Sequence, residues 1–257
     1  MPDLVIIAGP NGSGKSTILP GLFNTERISG SLQPNNEAFV NNINPDDIQR
    51  AANLSEIATG RAVKEKIDLF LKKGLDFSLE STFSGLTYLN LIKEAKNLGY
   101  RIYIVFCIVD SYELSMVRVT QRATNGKHYI KLKDIERRYS RCFSNFFERF
   151  KDEAFFWLVV DNSGREFQPI CWGGNYSNSK TAYYTNESNL SKLIKNLDDM
   201  RVDPKWEINT NSTIDTFSPF VFSRIQEVIK KEIKNRPKEN YISISENGEV
   251  KFIPNNI

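Results

Sequence analysis

The chain has 257 residues, a formal net charge of +3 and a 40% hydrophobic share. That length suits one large α/β domain or a domain with an appendage, and the apolar share supplies a sizeable core. No run of 18 apolar residues offers a membrane span, and the mild charge permits anionic substrates without arguing for nucleic acid.

In chain order, Leu4-Val5-Ile6-Ile7-Ala8 reads as a buried strand. It leads directly into Gly9-Pro10-Asn11-Gly12-Ser13-Gly14-Lys15-Ser16, which fits the phosphate-binding pattern G-x-x-x-x-G-K-[ST]. Thr17-Ile18-Leu19 can open the helix that this motif requires. Glycines let the backbone wrap a phosphate so that its N–H groups and the helix N-terminus face the anion. Gly9 to Thr17 are therefore the expected nucleotide-binding residues. Lys15 reaches the outer phosphates, and the Ser16 hydroxyl is the expected Mg²⁺ ligand. ATP and Mg²⁺ are the expected cofactors.

Ala38-Phe39-Val40 is expected to lead into a second strand ending near Ile43. Residues 47–73 read as helix, with a break expected near Thr59-Gly60. Phe77-Ser78-Leu79-Glu80 is a short strand, residues 86–98 an amphipathic helix stopped by Gly99, and residues 101–109 a central strand. Residues 112–123 and 133–150 read as helices, the second strongly basic, and residues 155–160 as another buried strand. Apolar strands alternating with helices predict a parallel sheet covered on both faces. Residues 175–189 are rich in Ser, Asn, Thr and Tyr and read as loop plus an edge hairpin. A short helix (190–197), an irregular stretch (201–219) and an amphipathic helix (220–234) follow. Residues 241–253, with Asn247-Gly248 as the turn signal, read as a terminal β-hairpin. The start has no charged segment followed by an apolar signal region, so a cytoplasmic protein without membrane contact is expected. Cys107, Cys142 and Cys171 form neither a metal pair nor a disulfide frame and are expected to pack as small apolar residues. A single histidine, His128, gives no His-rich metal site.

The residues after the phosphate loop narrow the chemistry. Val109-Asp110 and Val160-Asp161 end strands as a Walker B aspartate would, but Ser111 and Asn162 follow them where many ATPases place a water-orienting glutamate. Caps or turns are the simpler role for these aspartates, so a kinase outranks a motor ATPase. Asn44-Pro45-Asp46-Asp47-Ile48 closes the second strand, where a carboxylate can take the proton of an attacking hydroxyl. Asp47 suits a helix cap, leaving Asp46 as the expected base. Glu80 and Thr82 lie at the end of the third strand, at the sheet edge where ligands collect: Glu80 can accept from substrate hydroxyls or bind a Mg²⁺-held water, Thr82 can donate to the substrate, and either can instead cap the helix from Gly85. Basic residues crowd 118–141. Of these, Arg122 and Arg138 are expected to close over the transferring phosphoryl group and stabilise its charge.

These motifs together resemble the zeta-toxin family of P-loop kinases. The resemblance rests on Gly9 to Thr17, Asn44-Pro45-Asp46-x-Ile48, and Glu80-Ser81-Thr82-x-Ser84-Gly85. It continues through Arg122 ahead of Gly126-x-His128, then Ile135-x-Arg137-Arg138-Tyr139-x-Arg141 and Asp161-Asn162-Ser163-Gly164. It implies a P-loop kinase-like parallel sheet flanked by helices, carried by residues 1–197. Residues 198–257 would add a C-terminal helix and hairpin. It further implies ATP-dependent phosphorylation of a hydroxyl of UDP-N-acetylglucosamine, and a cognate antitoxin as partner. Asp46 would be the acceptor-side base, Glu80 and Thr82 substrate contacts, Lys15 the phosphate anchor, and Arg122 and Arg138 the lid arginines. Asn162 would lie near the adenine. Gly126-Lys127-His128-Tyr129-Ile130 departs from the Gly-Gly-His and Val-Pro of many relatives. A polynucleotide kinase and a nucleotide-gated ATPase or interaction module are the alternatives that the residues leave open.

Overall fold

The computed structural model describes residues 1–18, 37–124, 132–164, 167–175, 181–184, 187–205, 207–208, 241–244 and 250–253. Strand β1 (Asp3–Ala8) is buried along its whole length. Its alternate side chains serve two cores: Leu4, Ile6 and Ala8 face one, Val5 and Ile7 the other. Such two-sided burial is why the sequence shows a continuous apolar run here rather than alternation. Strands β2 (Asn42–Ile43), β3 (Phe77–Ser81), β4 (Arg101–Ile108) and β5 (Phe156–Asp161) complete a parallel set in the order β2-β3-β1-β4-β5. The chain's direction of winding reverses at β1, so the β1 terminus is the topological switch point where ligands bind in such sheets.

Three further strands extend the sheet. β6 (Gln168–Gly173) runs antiparallel to β5, β7 (Thr181–Tyr184) antiparallel to β6, and β8 (Glu207–Ile208) parallel to β7. The sheet is therefore mixed, with a parallel body and an antiparallel extension. β6 was not expected from the sequence. Pro169 pairs beside a register shift between Val159 and Val160, the irregular position at which a strand accepts proline.

The helices begin with α1, whose first turn covers residues 15–18, and the short α2 (Glu37–Val40). They continue with α3 (Pro45–Ala52), α4 (Glu56–Lys73), α5 (Thr87–Asn97), α6 (Tyr112–Thr124), α7 (Leu132–Asn145) and α8 (Glu187–Asp199). Residues 38–40, expected to lead into the second strand, are helical, and β2 starts only at Asn42. The expected break at Thr59-Gly60 lies instead between α3 and α4. Asn53 takes a left-handed φ of 47° there, and its N–H closes α3 on the carbonyls of Arg50 and Gln49. Ser55 then caps α4 by accepting from the Ala58 N–H. Gly60 sits inside α4, where the preceding Thr59 is buried and donates its hydroxyl to the Ser55 carbonyl.

α7 runs on into a π-helical turn, Phe146–Phe150. Its rings pack on β4: Phe146 stacks on Phe106 at a centroid distance of 4.1 Å, and Phe143 meets Phe106 edge-on at 5.5 Å. The three cysteines are buried and free, as their spacing suggested. β9 (Tyr241–Ile244) and β10 (Val250–Ile253) pair antiparallel, in keeping with the expected terminal hairpin. The expected helix at 220–234, the Asn247-Gly248 turn and His128 lie outside the described residues. Among the described residues no helix is long and apolar enough to cross a membrane.

Candidate active site

The parallel strands bring their carboxyl ends to one edge, so the loops after β1, β2, β3, β4 and β5 converge there. The loop after β1 is the phosphate cradle. Gly14 has φ of 88°, and a Cβ added there would stand 2.1 Å from the Asn162 side-chain nitrogen. Only glycine fits this bend. The Lys15 ammonium donates to the carbonyls of Gly9 and Pro10, each at 2.9 Å. Burial is the largest influence on Lys15 and pulls its pKa down, the Glu80 carboxylate pushes it back up, and Arg122 adds to the lowering. That coupling places Arg122, half-buried near the end of α6, within electrostatic reach of the cradle. Ser115 of α6 donates to the Asn11 carbonyl and holds the loop from its other side. Asn11 Oδ1 and Ser13 Oγ are buried without hydrogen-bond partners among the described residues. A glycine-only bend, a lysine at the loop and the Ser13 hydroxyl, which can donate to a phosphate oxygen, fit a nucleotide phosphate chain.

Glu80 lies at the middle of the site. Its two carboxylate oxygens accept from different elements: Oε2 from the Ser16 hydroxyl and Oε1 from the Asn44 amide, both at 2.8 Å. Burial raises its pKa above the ordinary glutamate value, and the bond from Ser16, the nearby Lys15 and the bond from Asn44 pull it back. Asn44 also accepts from the backbone N–H groups of Asp46 and Asp47 through its Oδ1. It is therefore the N-cap of α3, with Pro45 as the first helical residue. This corrects the capping role expected for Asp47, which instead pairs with Arg50 one turn along. Asn44 is the better cap because its non-helical backbone precedes a proline, whose fixed φ starts the helix. Asp46 is exposed in the first turn of α3. Ser16, Glu80, Asn44 and the α3 N-terminus thus form one hydrogen-bonded chain from the phosphate cradle to Asp46.

The loop after β5 closes the cradle from the other side. Asn162 donates to the Ser13 carbonyl at 2.9 Å, and its own carbonyl accepts from Arg118 at 2.7 Å. Asp161 accepts from the backbone N–H and the hydroxyl of Ser163, and the Ser111 hydroxyl accepts from the Leu114 N–H at the start of α6. These strand-end residues form turns and caps. Arg118 fell within the basic cluster noted in the sequence, but its role as the clamp on 162–163 was not foreseen. That contact spans 44 residues. Arg137 pairs with Asp134 at 2.8 Å, whereas Arg138 is half-buried on α7 with no hydrogen bond or ion pair to the cradle among the described residues. Tyr139 anchors α7 by donating to the Val109 carbonyl at 2.7 Å.

The loop after β3 carries two paired hydroxyls. Thr82 Oγ1 and Ser84 Oγ are 2.9 Å apart. Between them, Phe83 takes a left-handed φ of 53° while its ring is buried.

A sequence model described as zeta toxin matches residues 1–166. The chain belongs to the zeta toxin family. An uncharacterized protein of Haemophilus influenzae is 27% identical over 135 residues, which cover 52% of this chain and 91% of that protein. Among solved structures, the AvrRxo1-ORF1:-ORF2 complex with ATP superposes with a TM-score of 0.55 at 14% identity, covering 90% of this chain and 76% of that one. The native form of the same complex gives a TM-score of 0.55 at 11% identity, covering 92% of this chain and 81% of that one. This zeta toxin family member is thus a P-loop kinase in fold, and its family is one of nucleotide-dependent phosphotransferases.

Proposed function

We propose that the protein is an ATP-dependent kinase that phosphorylates a hydroxyl of a UDP-amino sugar such as UDP-N-acetylglucosamine. The observation that carries the proposal is the bridge made by Glu80 between Ser16 and Asn44. It ties the phosphate side of the site to the helix that presents Asp46, and a kinase must hold donor and acceptor in one frame.

Gly9 to Thr17 would cradle the phosphates, with Lys15 swinging from the carbonyls of Gly9 and Pro10 to the outer phosphates. Ser16 would hold Mg²⁺, which supplies charge neutralisation on the phosphate oxygens. Asp46 takes the proton of the attacking hydroxyl and aligns it. Glu80 and Thr82 orient the acceptor. Arg122 and Arg138 close over the phosphoryl group and exclude water. Asn162, fixed against Ser13, lines the nucleoside side. Every one of these residues lies within 1–197, the proposed kinase unit, to which 198–257 is appended. A protein antitoxin as partner belongs to the same proposal. The family's name supports it, as does the AvrRxo1-ORF1 relative, which was crystallised with ORF2.

The test incubates purified protein with γ-labelled ATP, Mg²⁺ and a panel of UDP-sugars, with products read by mass. A UDP-amino sugar gaining one phosphate is expected. Label appearing only on oligonucleotide ends, or only as free phosphate, would overturn the acceptor assignment.

A further inference from the structure

Phe83 stands in a conformation that a bulky residue rarely adopts. Its φ of 53° is left-handed, a region that disfavours side chains with a Cβ. Residues held this way persist only where their surroundings over-determine them, and they cluster at functional sites. Two contacts impose the conformation on Phe83. Its ring stacks face to face on Phe150, at 3.9 Å between centroids and 7° between planes. Its carbonyl accepts from the Asn145 side chain at 2.6 Å. Asn145 ends α7 and Phe150 ends the π-helical turn that continues it, a kind of turn that recurs at functional sites.

The consequence falls on the neighbours of Phe83. Its N–H donates to Ser81 Oγ, and Ser84 N–H donates to Thr82 Oγ1. The left-handed residue 83 lies between the Thr82 and Ser84 hydroxyls, which meet at 2.9 Å.

From this we infer that Asn145 is a positioning residue for the acceptor, acting through the Phe83 carbonyl to fix the Thr82–Ser84 hydroxyl pair at the site. The inference rests on the kinase reading and deepens it. It also gives α7 two duties: the helix that carries Arg138 holds the loop that carries Thr82. An acceptor sugar bearing vicinal oxygens suits two hydroxyls at this spacing.

The test compares the full-length protein with Asn145→Asp, which keeps the shape but has no N–H to donate. Asn145→Ala serves as the second variant should the aspartate fail to fold. Three quantities are read: affinity for a fluorescent ATP analogue, steady-state transfer to UDP-N-acetylglucosamine, and hydrogen–deuterium exchange of the 81–86 and 9–18 peptides. The expected result is an acceptor KM raised about tenfold by loss of one partly buried bond, unchanged ATP-analogue affinity, and faster exchange at 81–86 only. An unchanged acceptor KM with unchanged exchange at 81–86 would overturn the assignment. Loosening of both peptides together would also overturn it, since that marks a merely structural residue. If the unmodified protein transfers nothing to UDP-N-acetylglucosamine, the acceptor proposal fails on its own. Selective exchange at 81–86 then still tests whether Asn145 fixes the Thr82–Ser84 pair, and its absence overturns that part of the assignment.

Discussion

Glu80 is pulled in two directions. Burial favours its protonated form, while Ser16, Lys15 and Asn44 favour the carboxylate, and burial prevails. A carboxyl whose pKa is higher in the folded chain than in the unfolded one binds its proton more tightly when folded. Its contribution to stability is therefore present below the ordinary glutamate range and lost as pH rises through the raised value. At neutral pH the buried charge is a cost. Glu80→Gln is accordingly expected to leave the melting temperature at pH 7 unchanged or higher while phosphoryl transfer falls, which calorimetry beside a transfer assay checks. If the ionised form is the working one, the acidic limb of kcat/KM lies above 4.5, the ordinary glutamate value, and that limb disappears in Glu80→Gln. Lys15 shows the complementary case. Burial depresses its pKa and Glu80 restores part of the loss, so Lys15→Ala is expected to weaken both ATP binding and turnover.

At the level of elements, the position of α3 decides whether Asp46 can serve the site. Asn44 both caps α3 and bonds to Glu80. Asn44→Ala is expected to cost about 1 kcal/mol for the lost cap and to lower transfer as well. Asp47→Ala, which removes only a surface pair with Arg50, is expected to change stability by about 0.5 kcal/mol or less. Chemical denaturation and transfer rates separate the two variants. The phosphate loop was legible in the sequence because its spacing is local: eight consecutive residues between a strand and a helix. Asn44 was read only as part of a motif, because its partner Glu80 lies 36 residues away. The same distance effect hid Arg118 and the contact of Asn162 with the Ser13 carbonyl, 149 residues apart. Gly60 signals a helix break in the sequence but sits inside α4. The left-handed turn falls on Asn53, a residue type that also tolerates that conformation.

Over the whole molecule, the parallel body was legible from continuous apolar runs. Two-sided burial leaves no alternation, and β1, β4 and β5 are buried on both faces. The antiparallel extension was not legible, since β6 begins with Gln168 and Pro169 and its apolar stretch is short. The face between β4 and α7 is filled by Phe106, Phe143, Phe146, Phe147 and Phe150, all fully buried. Phe146→Ala is expected to cost about 3–5 kcal/mol, measured by urea unfolding, because a ring so enclosed leaves a cavity that its neighbours cannot fill. The same layer supports the loop after β3 through Phe150 and Phe83, so core packing and the proposed acceptor contacts share residues. In the proposed mechanism Asp46 is the base and Lys15 anchors the phosphates. Single-turnover transfer from γ-labelled ATP by Asp46→Asn, with ATP affinity measured on the same sample, tests it most directly. Intact ATP binding with transfer slowed by about 10²-fold or more is the expected result. Transfer at the unmodified protein's rate would contradict it.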